Sequence, residues 1–142
     1  MFIAKGSEYM SASFVRSKTR QWAAEVSTAS TVPFHDTINV DITPIDILWF
    51  TVTFTSEFNE GTFCDRGFIE EGFITITVVS AAGEGDITAI AAMEQIIPKL
   101  MEKVDPSGRL AYEAYEPIQE STLGSADRDY RVSAIINYRH TL

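Results

Sequence analysis

Cysteine is almost absent from this 142-residue chain: Cys64 stands alone, so no disulfide can form within one copy. A reducing compartment is the natural expectation. Histidine is nearly as scarce, with only His35 and His140. Basic residues are outnumbered, 11 Lys and Arg against 20 Asp and Glu, for a net charge of −9. Lys and Arg that neutralise phosphates supply most nucleic-acid affinity, so a grip on DNA or RNA is disfavoured, and an anionic membrane would repel the chain. The most apolar run, Phe73 to Gly83, is too short and too rich in Thr to span a bilayer. Met-Phe-Ile-Ala-Lys at the start lacks the apolar core of a signal peptide, so a soluble, intracellular product is expected.

What is present fits one folded domain. The length suits a single core, the apolar fraction is 45%, and nine Phe, five Tyr and two Trp argue against disorder. No internal repeat or linker divides the chain. Charge is uneven: residues 1–32 carry +2, residues 33–80 carry −7 and residues 81–142 carry −4. The acidic middle is either an ordinary solvated face or a surface with a task.

Residues 1–12, with Gly6, Ser7 and Ser11, read as a polar arm, and the domain proper is expected over 13–142. Phe2, Ile3, Tyr9 and Met10 are too apolar for a solvated tail, so the arm is expected to dock. Phe14, Val15, Trp22, Ala23 and Val26 mark a helix over Ser13 to Ser27, ended by Thr31, Val32 and Pro33. Two strands follow, Asp46 to Thr55 and Phe68 to Ser80, each alternating apolar and hydroxyl residues. A short extra strand is expected near Asn39 to Ile42. From Asp86 to Val104, the residues Ile87, Ile90, Met93, Ile97, Leu100 and Met101 form a helical stripe. Pro98 inside it predicts a kink or a break near Ile97. Asp105-Pro-Ser-Gly108 predicts a turn, Arg109 to Glu116 a strand, Pro117 to Asp127 an irregular connection, and Asp129 to Tyr138 a last strand. Two helices and at least four half-apolar strands bury one another best as α+β architecture: a mainly antiparallel β-sheet with both α-helices on one face.

Residues capable of chemistry do not converge in this pattern. Both histidines fall in turn-like or terminal stretches and are expected at the surface, no G-x-S-x-G elbow accompanies them, and Cys64 lacks any nucleophile signature. Two His and one Cys at wide spacing make no zinc site, and no calcium-loop pattern occurs. Gly83-Glu-Gly85 lacks a third glycine, and Asp86 behind it would repel a phosphate. Glu70 and Glu71 are adjacent on a strand and face opposite ways, so they are not a catalytic pair. No catalytic residue, cofactor or metal is therefore assigned, and the chain is read as a non-enzyme.

Binding surface is what remains. Ser56 to Gly67 is a long connection for a hairpin, and long loops commonly have a task. Phe58, Phe63 and Phe68 lie in or beside it with Arg66, among Glu57, Glu60 and Asp65. Aromatics set among charges make protein–protein contacts, though these three would equally serve by folding back onto the core.

A first helix runs through Trp22-Ala-Ala-Glu25 to Val32-Pro33, and a strand with an embedded Trp follows, Ile47-Leu-Trp-Phe-Thr-Val-Thr-Phe54. A glycine-opened strand comes next, Glu71-Gly-Phe-Ile-Thr-Ile-Thr-Val78. Ala82-Gly-Glu-Gly85 then leads into an Ala-rich helix, and the chain closes with Asp129-Tyr-Arg-Val-Ser-Ala-Ile-Ile-Asn-Tyr-Arg139. Over residues 18–142 this order resembles the small tail-terminator, or tail-completion, proteins of long-tailed bacteriophages. The resemblance implies two helices against a sheet, and a homohexameric ring on the head-proximal end of the tail tube. Such a ring stops tube polymerisation and presents the surface that joins head and tail. Its partners would be further copies of itself, the tail tube protein and neck or head-completion proteins. The protein would assemble in the host cytoplasm into the virion tail or neck. DNA would pass through without specific binding, and an acidic lumen would repel it. Under that reading Glu57, Glu60, Asp65, Glu70 and Glu71 are the lumen or tube-facing acids, and Phe58, Phe63, Arg66 and Phe68 the protein interface. The alternatives are another neck or head-completion ring protein, a small oligomeric ligand-binding or enzyme domain with its pocket between subunits, and a monomeric adaptor acting through the loop.

Overall fold

The computed structural model describes residues 2–38, 47–57, 69–81, 86–103, 105–116, 119–121 and 129–141. Helix α1 spans Phe2–Ser30 and strand β1 Leu48–Glu57; β2 spans Ile69–Ala81 and helix α2 Asp86–Met101; β3 spans Leu110–Tyr115, β4 Gln119–Ser121 and β5 Asp129–Thr141. All strand pairings are antiparallel, in the order β1-β2-β5-β3, with β4 beside β3 along the same edge of β5. Both helices pack on one face. The architecture is α+β.

Period-two alternation explains how that face forms. In register across the sheet, Phe50, Val78 and Val132 make one row, Val52, Ile76 and Ala134 a second, and Phe54, Ile74 and Ile136 a third. All nine but Phe54 are buried, and Phe54 packs against the same core. From α2 come Ala89, Ala92, Met93, Ile96, Ile97 and Leu100; from α1, Val15, Trp22, Ala23 and Val26. Each such Val, Ile or Phe side chain stabilises the fold by about 1.5–3 kcal/mol through its burial.

Thr31 reverses the chain after α1. Its φ of 63° is left-handed, a conformation usually left to glycine, and its N–H donates to the Ser27 carbonyl at 2.9 Å. The Ser27 hydroxyl donates to the Val32 carbonyl and accepts the Phe34 N–H, at 2.7 and 3.1 Å. Residues 33–35 are thereby laid against β1 in a parallel bridge: Phe50 N–H donates to the Pro33 carbonyl, and His35 N–H to the Phe50 carbonyl. The Asp105-Pro-Ser-Gly108 turn forms as expected. Gly108 sits at φ 74° and donates to the Asp105 carbonyl, while the Asp105 carboxylate accepts the Ser107 N–H and hydroxyl.

Several expectations require correction. The segment read as an arm is helical from Phe2: its Ser and Gly residues weigh little once α1 continues from a packed stretch. Helix α2 runs through Pro98 without a break to Met101. Pro98 is solvent-exposed, and Glu102 N–H donates to its carbonyl. Ile87 stands 75% exposed, its expected place in the stripe being taken by Ala89 and Ala92. Inside the expected irregular connection lies β4, whose three residues are ordered by pairing with Ser133, Val132 and Arg131. Strand β5 runs three residues beyond Tyr138, to Thr141. The strand expected near Asn39 to Ile42 falls outside the described residues.

Candidate functional site

Among the described residues, no helix lies over the second face of the sheet. Its residues alternate with the core set: Thr53 and Thr55 from β1, Phe73, Thr75 and Thr77 from β2, and Ser133, Ile135 and Asn137 from β5. Thr53, Thr55 and Asn137 are exposed and the other five half-buried. Thr77 and Ser133 hydroxyls share a hydrogen bond of 3.0 Å across the strands. β-branched Thr suits a pleated surface and leaves a hydroxyl for water or a partner, which is why a solvent-facing strand can carry it at every second position. One corner is covered. Trp49 and Thr51 share this face yet are buried, because the segment after α1 folds over them. His35 meets Trp49 edge-on at 5.6 Å, and Thr37 hydrogen-bonds Thr51 at 3.1 Å.

Charge collects at the other end of this face. Arg139 donates to Glu71 at 3.0 and 3.3 Å and lies 3.6 Å from Glu113, at the irregularity in β3. Two carboxylates around it raise the Arg139 pKa further, Glu71 more than Glu113. All three side chains are well solvated, so the group is a surface feature of modest stability.

Beneath the helices, at that same end, lies a buried polar cluster. Glu70 is directly across the strands from His140 and accepts a hydrogen bond from the Tyr138 hydroxyl at 2.8 Å. Glu70, Tyr138 and His140 are 9%, 3% and 5% exposed. The His140 ring stacks on Phe14 of α1, centroids 5.0 Å apart and planes 15° from parallel. Burial holds the His140 pKa below its ordinary value, against the Glu70 and Asp105 carboxylates, which pull it upward. Nearby, Tyr112 shares a 2.7 Å hydrogen bond with Thr19 and packs edge-on to Trp22. Its burial pushes the phenol pKa well up.

The expected surface position of His140 is thus wrong. Val132, Ala134, Ile136, Tyr138 and His140 share one parity, and the extension of β5 carries the alternation to its last member. That pattern was available in the sequence. Glu70 is likewise withdrawn as a lumen or tube-facing acid, since it points into the core beside Tyr138. Glu71 is on the opposite side, as alternation requires. Glu57 ends β1 in register with Glu71. Phe58, Glu60, Phe63, Asp65, Arg66, Phe68 and Cys64 lie outside the described residues.

Among the described residues, no three His, Cys, Asp or Glu side chains gather as metal ligands, and no helix is long and apolar enough to cross a membrane. A depression of about 350 Å3 lies between the helices, lined by Val26, Ala29, Lys99, Glu102 and Lys103. At its rim Lys103 donates to Glu25 at 2.6 Å and lowers that carboxyl's pKa. No protein-family model matches the chain, and no curated protein matches it.

Proposed function

We propose that this chain is a structural ring subunit of the tail-terminator kind, which caps the head-proximal end of a phage tail tube and offers the head-joining surface. One observation carries the reading: a helix-backed sheet whose second face, among the described residues, carries no helix, is hydroxyl-rich and holds half-buried Phe73 and Ile135. A subunit that works by fitting neighbours needs such surface more than it needs a cleft. The order of elements agrees with the resemblance, two strands after the first helix and the remaining strands after the second. In a closed ring each contact joins two different patches of the chain, and one ring face must match the tube while the other refuses a further tube subunit. The net charge of −9 suits a channel that DNA crosses without adhering. Of the acids assigned to that channel, Glu71 has the solvated position the role requires.

The test is genetic and structural. Deleting the gene from its phage is expected to give over-long, headless tubes in electron micrographs, and complementation restores length control. Tails of normal length and infectivity without it would defeat the proposal.

A further inference from the structure

We propose that the Phe14–His140 stack is a proton-sensitive latch, which holds the leading part of α1 on the sheet while the imidazole is neutral and releases it once the ring is charged. Among the α1 side chains described, Phe14 comes directly before the first fully buried one, Val15, and it meets β5 through its ring stack on His140. A stack of two neutral rings is favourable in an apolar setting, whereas an imidazolium at 5% exposure must find either water or a countercharge.

The surroundings decide which it finds. Strand β2 presents Glu70, already accepting from Tyr138; β3 presents apolar Leu110, directly across from His140; α1 presents Phe14. From the turn before β3 come Asp105, whose carboxylate is taken up by Ser107, and Arg109, whose charge opposes that of the ring; Lys18 of α1 acts on Asp105. Two carboxylates favour the imidazolium, while burial and Arg109 oppose it, and burial is the largest of these. The docked state therefore binds the proton less readily than a state in which α1 has lifted and water reaches the ring. The sign follows by linkage. Docking is fully favoured above the ordinary histidine value of 6.5 and is lost as pH falls from there toward the lowered value of the docked state. One proton changes the open population by at most about tenfold per pH unit across that window. The latch operates on a single chain and does not depend on what the protein assembles with.

Amide hydrogen exchange on the full-length chain between pH 7.5 and 5, expressed as protection factors, reads the latch directly. Peptides covering residues 14–22 are expected to lose protection by up to about tenfold per pH unit below 6.5, while those from α2 hold steady. His140→Phe keeps an aromatic ring in the stack and removes the proton, so α1 protection becomes independent of pH in this window; His35→Gln leaves the wild-type response unchanged. Equal loss of protection in α1 and α2, or an unchanged response in His140→Phe, overturns the proposal. If His140→Phe fails to fold, NMR titration of the wild-type imidazole replaces it. Coincident midpoints for the ring and the α1 amides support the latch, and separate midpoints overturn it.

Discussion

Strands β1, β2 and β5 present two faces, and the same backbone serves opposite ends on each. Toward the helices they carry Phe50, Val52, Ile74, Ile76, Val78, Val132, Ala134 and Ile136, all buried. Away from the helices Thr53, Thr55, Thr75, Thr77, Ser133 and Asn137 are exposed or half-buried, while Trp49, Thr51 and Val79 at one corner are buried. Stability resides on the first face, because apolar area leaves water there. The second contributes less, since most of its described side chains are exposed or only half-buried. Where the pattern is broken, at Glu70 and His140 on the core side and at Phe73 and Ile135 on the bare side, the molecule departs from what folding alone requires.

The largest test of that contrast sets Ile76→Ala against its neighbour Thr75→Ala. The first opens a cavity in the middle of the core and is expected to cost about 2–5 kcal/mol; the second should cost under about 1 kcal/mol. Urea denaturation monitored by Trp fluorescence compares them, and equal losses would mean that the bare face is structural after all. Next in size is Tyr138→Phe, which removes one hydroxyl from the core side and leaves the Glu70 carboxylate with one donor fewer. About 1–3 kcal/mol should be lost, and a neutral result would show that Glu70 is satisfied without it.

Where the chain passes from the helical layer to the sheet edge, Thr31→Gly relieves a β-branched residue of a left-handed backbone. A gain of up to about 1 kcal/mol is expected, the freedom glycine adds to the unfolded chain offsetting part of the relief; a loss would mean the Thr31 side chain contributes more than its strain. Least of all, Arg139→Ala on the bare side is expected to leave Tm unchanged, because its partners are solvated. A lowered Tm would assign the Glu71–Arg139–Glu113 group to the fold rather than to the surface.

Much of this arrangement was legible before any coordinates. The Thr-x-Thr alternation in Leu48 to Thr55 and Phe73 to Val79 declares two half-buried strands, and three- and four-residue spacing declares α2. Less legible were features that arise between segments. Three residues of β4 have no pattern of their own and are strand only because β5 is beside them. The covering of Trp49 and Thr51 depends on a turn at Thr31, a residue type that seldom takes that conformation. Burial of His140 was written in the parity of β5, but nearness to the end of the sequence suggested solvent. For the candidate loop around Phe58 to Phe68 the comparison does not arise, as it lies outside the described residues.

The place of β5 has a consequence for how the protein is made. It is the last strand in chain order, yet it lies between β2 and the β3–β4 edge and pairs with all three. On a ribosome, the earlier elements can form helices and one hairpin, but the two parts of the sheet have nothing to join them until residues 129–141 emerge. The completed core therefore forms only when β5 pairs with both parts of the sheet.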